Sequence, residues 1–187
     1  MEPGEELLLH VCCAPCATYV IDVLSEQYSV TIFFYNPNIY PDKEYQRRLG
    51  EVRRYAALHD VPLIVAEPDV AAWYERVRGH EQESEGGKRC ELCFAIRLDR
   101  TAAAAVDRGI RVFTTTLSVS PYKDFRLIER VGLNAAHDYG ISFLARDFKK
   151  NDGYRKSCAL SKEYGLYRQH YCGCRYSMKD TEHGKKT

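Results

Sequence analysis

The chain has 187 residues, and its 27 Lys and Arg against 26 Asp and Glu leave a net charge of +1. Its 45% hydrophobic content is enough to exclude a disordered chain, and its length corresponds to one domain. No apolar run reaches the roughly 18 residues of a membrane span. The first residues are acidic where a secretory signal would be basic, so we expect a cytoplasmic protein.

Short apolar, β-branched runs alternate with amphipathic or Ala-rich stretches along the chain. The runs predict five strands, at residues 7–11, 30–35, 62–66, 111–117 and 141–144. The stretches predict helices at residues 14–27, 42–59, 70–77, 90–108, 124–139 and 154–164, the fifth broken near Gly132. This alternation predicts an α/β fold, a three-layer sandwich with a mainly parallel sheet. We expect one domain over residues 1–178 and a disordered tail over residues 179–187.

Polar segments follow three of the predicted strands. They are residues 12–16, 36–45 and 116–123. In parallel sheets, ligand sites lie beyond the carboxyl ends of the strands, at a switch in strand order. We therefore expect the three segments to meet at one edge of the sheet. His10, at the end of the first strand, is expected to be an ordinary packed residue and not a ligand.

Eight cysteines are the most informative residues of the chain. Seven of them fall into three tight groups: Cys12, Cys13 and Cys16; Cys90 and Cys93; Cys172 and Cys174. In a cytosolic chain of this size, such clustering indicates metal or redox chemistry more often than a disulfide framework. Cys158 stands alone in a predicted helix and is expected to be a packed or surface thiol.

The first two cysteine groups stand where a loop leads into a helix, and there the helix N-terminus lowers thiol pKa values. Cys12 and Cys13 together with Cys90 and Cys93 supply four thiolates, which suits a [4Fe–4S] cluster or a structural zinc site. Their wide separation along the chain favours a site between elements, where chemistry occurs. Cys16 is a further candidate ligand, to the same site or to a second metal.

The third cysteine group lies in a basic segment. A disulfide between Cys172 and Cys174 would close a very small ring, and strained disulfides are the labile, catalytic kind; metal ligation is the alternative. Residues 146–187 hold eleven Lys and Arg against five Asp and Glu. With the tyrosines of residues 164–176, this charge suits single-stranded or flipped-out bases, whereas tyrosines docked on the core are the alternative.

These segments together resemble one family, the cobalamin-independent epoxyqueuosine reductases of the QueH type. The segments that carry the resemblance, within residues 7–177, are His10–Cys16, Asn36–Ile39, Glu44-Tyr45, Cys90-x-x-Cys93, Thr115–Lys123 and Tyr167–Cys174. The resemblance implies a tRNA-modifying oxidoreductase that reduces the epoxide of epoxyqueuosine in anticodon loops to the alkene of queuosine. It also implies a fold like that of the adenine nucleotide alpha hydrolases (HUP-like).

The resemblance implies roles for six cysteines. A [4Fe–4S] cluster would be held by Cys12, Cys13, Cys90 and Cys93, and the redox-active disulfide would join Cys172 and Cys174. An adjacent mononuclear iron, with Cys16 or a neighbouring carboxylate as ligand, is compatible with this set. Epoxide reduction consumes two electrons and two protons, so an external electron donor and a proton donor are required, without cobalamin. The candidates for the proton donor are Asp147, Glu44 and Tyr40.

Two other functions compete with this interpretation. An ATP-dependent tRNA thiolase of the same fold needs a Gly- or Ser-rich loop after the first strand, whose N–H groups cradle pyrophosphate. Here that loop contains Pro15, which has no N–H, and it contains no glycine, so ATP binding is disfavoured. A zinc-stabilised RNA-binding module would be colourless and redox-inactive, whereas an iron–sulfur protein is brown and sensitive to oxygen.

Overall fold

The computed structural model describes the backbone of residues 4–182 and the side chains of residues 4–178. Five parallel strands form one sheet in the order β3-β2-β1-β4-β5. They are β1 (Glu5–His10), β2 (Tyr28–Phe34), β3 (Leu63–Val65), β4 (Val112–Thr115) and β5 (Ser142–Phe143). The predicted α/β fold with a parallel sheet is confirmed, while the finer likeness to the adenine nucleotide alpha hydrolases stays a prediction.

Helices cover both faces of this sheet. They are α1 (Ala14–Ser25), α2 (Asp42–Leu58), α3 (Val70–Arg76), α4 (Lys88–Val106), α5 (Phe125–Tyr139), α6 (Gly153–Glu163) and α7 (Arg175–Glu182). In the central strand, Leu7 and Leu9 pack towards α1 and α2, and Leu8 packs towards α4 and α5. All three leucines are fully buried because both faces of the strand are covered. Within the described residues, no helix is long and apolar enough to cross a membrane.

Three element boundaries differ from those predicted. Helix α4 begins two residues before Cys90, so the C-x-x-C pair lies inside its first two turns. Strand β4 ends at Thr115, and a 3-10 helix over Thr116–Val119 takes the chain away from the sheet. Helix α7 includes four residues of the predicted tail, whereas residues 183–187 lie outside the described residues.

Strand order reverses between β1 and β4, and the three polar segments meet at this point. The side-chain amide of Asn36, after β2, donates to the carbonyl of Val11, after β1, at 2.9 Å. His10 Nδ1 lies 2.9 Å from Thr115 Oγ1 at the end of β4. The expected convergence at one sheet edge is therefore confirmed, and it creates the crevice that parallel sheets use for ligands.

The sequence predicted a break in helix α5 near Gly132, and this prediction is wrong. The glycine instead allows another side chain to pack closely against the helix. The α5 helix is continuous, and the ring of Phe143 on β5 lies directly against the Gly132 backbone. A Cβ atom at this position would overlap the ring, so glycine is required by the contact and not by backbone conformation.

We expect Gly132→Ala to destabilise the fold, because overpacking against Phe143 costs about 1–3 kcal/mol. The melting temperature should fall by about 2–4 °C for each kcal/mol in a chain of this size. The matched control is Gly50→Ala in α2, where an added Cβ meets open space. That change should stabilise the protein by up to about 1 kcal/mol, since alanine favours helix. If calorimetry shows that both variants shift the melting temperature in the same direction, the packing role of Gly132 is contradicted.

Candidate metal and redox site

Three thiols lie together where β1 leads into α1. The Sγ atoms of Cys12, Cys13 and Cys16 all lie within 4.8 Å of one another, and the first two are 3.9 Å apart. Hydrogen bonds with Cys13 and Cys16 hold the pKa of the Cys12 thiol well below its ordinary value. The same contacts raise the pKa of Cys13 to about 12 and also raise that of Cys16. Among the three thiols, that of Cys12 is therefore the most easily deprotonated, and Cys16 lies with the two predicted ligands.

The second cysteine pair lies at the start of helix α4. Cys90 belongs to the same buried core cluster as Cys12 and Cys13, whereas Cys93 belongs to a separate cluster with Cys174. Burial raises the pKa of Cys90 to about 11. Among the described residues, Cys90 and Cys93 stay outside the group of thiols close enough to share one ion with Cys12.

Nitrogen donors point at three of these sulfurs. The Gly86 N–H lies 3.3 Å from Cys90 Sγ, and the side-chain amide of Gln169 lies 3.1 Å from Cys13 Sγ. Arg97 Nη1 lies 3.8 Å from Cys93 Sγ. Such donors stabilise thiolates in a buried setting and are typical of sites that hold metal through sulfur.

Arg97, which the sequence analysis did not single out, is the central cation of the site. It is fully buried, and besides Cys93 it donates to Asn36 Oδ1 at 3.0 Å and to His10 Nε2 at 3.4 Å. Burial, with help from Arg97, lowers the pKa of His10 to about 3, so the imidazole is neutral and packed as predicted. The sequence signal that could have indicated Arg97 is its spacing from Cys93. Residues four apart on a helix lie on the same face, so Arg97 is expected beside the Cys93 thiol.

A cavity of about 130 Å³ opens beside the trio, with room for several water molecules. Cys12, Cys16 and Cys172 line it, so the first and third cysteine groups share one space. Lys123 also lines it. Although burial lowers the Lys123 pKa, the negative charges of Cys172, Cys12 and Glu85 raise it overall. Burial likewise raises the pKa of Cys172, to about 12, against the opposing charge of Lys123.

The C-x-C segment is docked on the segment that follows β2. Arg48, on α2, donates to the carbonyls of Cys172 at 3.1 Å and of Tyr171 at 3.2 Å. The Tyr40 N–H donates to the Gly173 carbonyl at 2.8 Å. Gly173 has φ +133° and lies against the Arg48 guanidinium, so a side chain there would be both strained and crowded.

The two cysteines of this segment have different surroundings. Cys172 is partly exposed on the cavity wall, while Cys174 is buried in a cluster with Cys93, Trp73 and Val77. The C-x-C pair therefore reaches from the cavity to one of the predicted metal ligands. Cys158 lies on α6 and is partly buried, in keeping with the packed or surface thiol that the sequence predicts.

We expect Arg48→Met to destabilise the protein strongly. Arg48 is 1% exposed and forms a 2.7 Å ion pair with Glu44, whose other oxygen accepts from Tyr167 Oη at 3.0 Å. Removing one partner of a buried pair costs about 3–5 kcal/mol. The control is Arg54→Met on the same helix, where the ion pair is half exposed and worth about 0–1 kcal/mol. Equal shifts of the two urea-unfolding midpoints would refute the anchoring role of Arg48.

The tyrosines of residues 164–176 are largely engaged within the protein. Tyr164 packs edge-on against Tyr55, and Tyr176 stacks on Trp73, as the alternative interpretation of this segment expected. Tyr171 is the tyrosine of this segment that lines the cavity, together with Tyr122, which is 57% exposed, and Tyr154, which is 37% exposed. Arg168 stacks over Tyr154 with 5.8 Å to the ring centroid.

The three candidate proton donors lie elsewhere. Glu44 is bound by Arg48 and Tyr167, Asp147 lies 3.8 Å from the Lys149 amine, and the Tyr40 carbonyl accepts from Tyr171. None of them is among the residues in the described part of the chain that line the cavity. The titratable groups that do line it are cysteines and Glu85, Arg97, Lys123, Tyr122, Tyr154, Arg168, His170 and Tyr171.

A parallel α/β sheet with a thiol-lined cavity at its switch point defines a protein of metal or redox chemistry. The family model described as epoxyqueuosine reductase QueH matches residues 7–180. The chain belongs to this family.

Curated proteins named epoxyqueuosine reductase QueH are similar over most of the chain. The Streptococcus pyogenes serotype M1 protein is 41% identical over 179 residues, which cover 92% of this chain and 70% of the relative. The Acinetobacter baylyi protein is 41% identical over 180 residues, with 95% and 83% covered. The Thermotoga maritima protein is 39% identical over 176 residues, with 92% and 90% covered.

Proposed function

We propose that this chain is an epoxyqueuosine reductase, an oxidoreductase that reduces the epoxide of epoxyqueuosine in tRNA anticodon loops to the alkene of queuosine. The observation that carries the proposal is that thiols of the first and third cysteine groups, distant in sequence, line one cavity at the sheet edge, while Cys174 of the third group shares a buried cluster with Cys93 of the second. Family membership supports the same reaction.

The residues fit an iron–sulfur cofactor. We assign Cys12, Cys13, Cys90 and Cys93 as ligands of a [4Fe–4S] cluster, and Cys16 as a candidate ligand of an adjacent mononuclear iron. Three of the four sulfurs already receive hydrogen bonds from nitrogen, and Arg97 and Lys123 supply positive charge against the thiolates. Ligand thiols must lose their protons on binding, so loading releases protons from Cys13 and Cys90, whose pKa values are raised.

The redox balance requires two electrons and two protons. A cluster held by these thiols would supply electrons and Lewis acidity to the reaction. Cys172 and Cys174 hold the reducing equivalents: closing their disulfide releases two electrons and two protons, the amount that converts an epoxide into an alkene and water. Burial of Cys174 beside Cys93 supports electron transfer from this pair towards the cluster ligands. An external electron donor then reopens the disulfide, without cobalamin.

The proposed partner is tRNA that carries epoxyqueuosine. Tyr122 and Tyr154 offer exposed rings on which an extruded base can stack, and the basic segment of residues 146–187 suits phosphates. A tRNA substrate also supports a cytoplasmic location. Because the site draws on residues 10 to 174, we treat residues 1–178 as one catalytic domain.

The test is conversion of tRNA containing epoxyqueuosine by anaerobically purified protein with a chemical reductant and no added cobalamin. We expect queuosine to appear in nuclease digests, together with iron and sulfide in the protein. A colourless protein that holds zinc and binds tRNA without converting it would instead establish the RNA-binding module.

A further inference from the structure

Glu85 is an unexpected residue in this cavity. It supplies the only carboxylate among the lining residues within the part of the chain described, and Arg97, Lys123 and Arg168 share the wall with it. A negative charge opposes the approach of a polyanion such as tRNA. In a site that receives a tRNA nucleotide, we therefore expect this carboxylate to make a favourable contact that offsets the repulsion. Among residues 4–178, whose side chains are described, no hydrogen bond or close ion pair engages the Glu85 carboxylate.

The loop that carries Glu85 is held firmly. The buried Arg89 guanidinium donates to three loop carbonyls, those of His80, Glu81 and Glu83. Glu83 is used within the loop, where its carboxylate accepts from the Arg89 N–H at 2.9 Å. On the other side of Glu85, the Gly86 N–H is tied to Cys90 Sγ. The carboxylate of the neighbouring Glu83 thus stabilises the loop, while Glu85 lines the cavity from a loop backbone that these contacts hold in place.

Two further acceptors on the same wall lack a partner. Thr116 Oγ1 and Gln169 Oε1 are buried, line the cavity and make no hydrogen bond within the described residues. Thr114 and Thr115, in the same run, do have partners, at 2.8 Å to the Leu144 carbonyl and 2.9 Å to His10. Buried polar atoms are normally hydrogen-bonded, so we expect both oxygen atoms to accept hydrogen bonds from a bound ligand. A carboxylate and two free acceptors together fit a cation rich in hydrogen-bond donors.

We propose that Glu85 pairs with the protonated secondary amine that links the base of epoxyqueuosine to its cyclopentane ring. The ring hydroxyls then donate to Thr116 and Gln169. This inference rests on the proposed function and adds to it the residue that selects the modified nucleotide. Guanine at the same tRNA position has no such amine, so the ion pair distinguishes the two.

The direction in which Glu85→Gln changes tRNA affinity distinguishes an ion pair with the modified nucleotide from general repulsion between Glu85 and the tRNA phosphates. Glu85→Gln removes a negative charge, which by itself tightens the binding of any tRNA. We expect it instead to weaken binding of tRNA with epoxyqueuosine by at least about tenfold, because the ammonium loses its counterion. Binding of the same tRNA with guanine should stay equal or become tighter. Affinities are measured anaerobically without reductant, so that no substrate is consumed.

The matched control is Glu81→Gln, the same charge change on the same loop at a residue that does not line the cavity. It should shift the affinities for both tRNAs equally. With reductant, Glu85→Gln should raise KM by at least about tenfold and leave kcat within about threefold, the pattern of lost substrate binding. If Glu85→Gln alters binding of both tRNAs alike while the wild type turns over, only this inference fails. If the wild type converts no epoxyqueuosine, the proposed function fails and the inference fails with it.

Discussion

Cys93→Ala purified without oxygen is expected to be colourless, with little iron and sulfide, and inactive on tRNA that carries epoxyqueuosine. The physical reason is the ligand count, because a [4Fe–4S] cluster takes four protein thiolates and this variant offers three at the proposed positions. Loss of the thiolate also leaves the buried Arg97 without the sulfur that lies 3.8 Å from its guanidinium. We therefore expect a lower melting temperature as well. Iron and sulfide analysis, visible absorption and calorimetry measure the three effects.

The control for this variant is Cys158→Ala, which removes a partly buried thiol from α6, outside the set of cavity-lining residues. It should keep full colour and activity. Circular dichroism establishes that Cys93→Ala retains its helices, so that loss of colour reports loss of a ligand and not unfolding. A folded Cys93→Ala protein with a full complement of iron and sulfide would disprove the ligand assignment.

Cys174→Ser is expected to separate cluster binding from turnover. The protein should remain brown, because Cys174 is not one of the proposed ligands. Steady-state turnover with a dithiol reductant should fall by at least about a hundredfold, a barrier increase of about 2.7 kcal/mol. The reason is that serine cannot close a disulfide with Cys172, so the store of two electrons is lost. Rates with a dithiol and with dithionite, which donates single electrons directly, are compared.

Three comparisons sharpen this experiment. Cys172→Ser should have the same effect as Cys174→Ser, and the double variant should be no worse than either single one, because a disulfide needs both sulfurs. Cys158→Ser is the matched control and should leave turnover unchanged. Wild-type turnover in Cys174→Ser, or a loss of iron from it, would show that the C-x-C pair is not an electron store.

The cysteine groups were the part of the site that could be predicted most fully from sequence. Their spacing indicated metal and redox chemistry, and the alternation of strands and helices indicated that the first group and the second polar segment would meet at one sheet edge. The structure brings all three thiols of the first group, Cys16 included, within 4.8 Å of one another. The proton donor was not predictable in this way, since Glu44 is bound by Arg48 and Tyr167, and none of the three candidates lines the cavity among the described residues.

The residues that the sequence analysis missed are single charged or polar side chains. Arg97 and Glu85 belong to no motif, Gln169 was cited only as part of the Tyr167–Cys174 segment, and each residue type is ordinarily found on solvated surfaces. Their importance comes from position, because each approaches a sulfur or the cavity only after distant segments have packed. The structure also changes the role of Gly132, whose contact with Phe143 spans two elements and leaves no local signal in the sequence.

By itself, the sequence determined the fold class, the clustering of thiols and the edge of the sheet at which they lie, because periodicity and spacing along the chain govern local structure. Only the tertiary structure decided which charges face the thiols, which acceptors remain free and which acidic side chain enters the cavity. Those properties depend on distances of a few ångströms between residues remote in sequence, and such distances exist only after the sheet and its helices have packed.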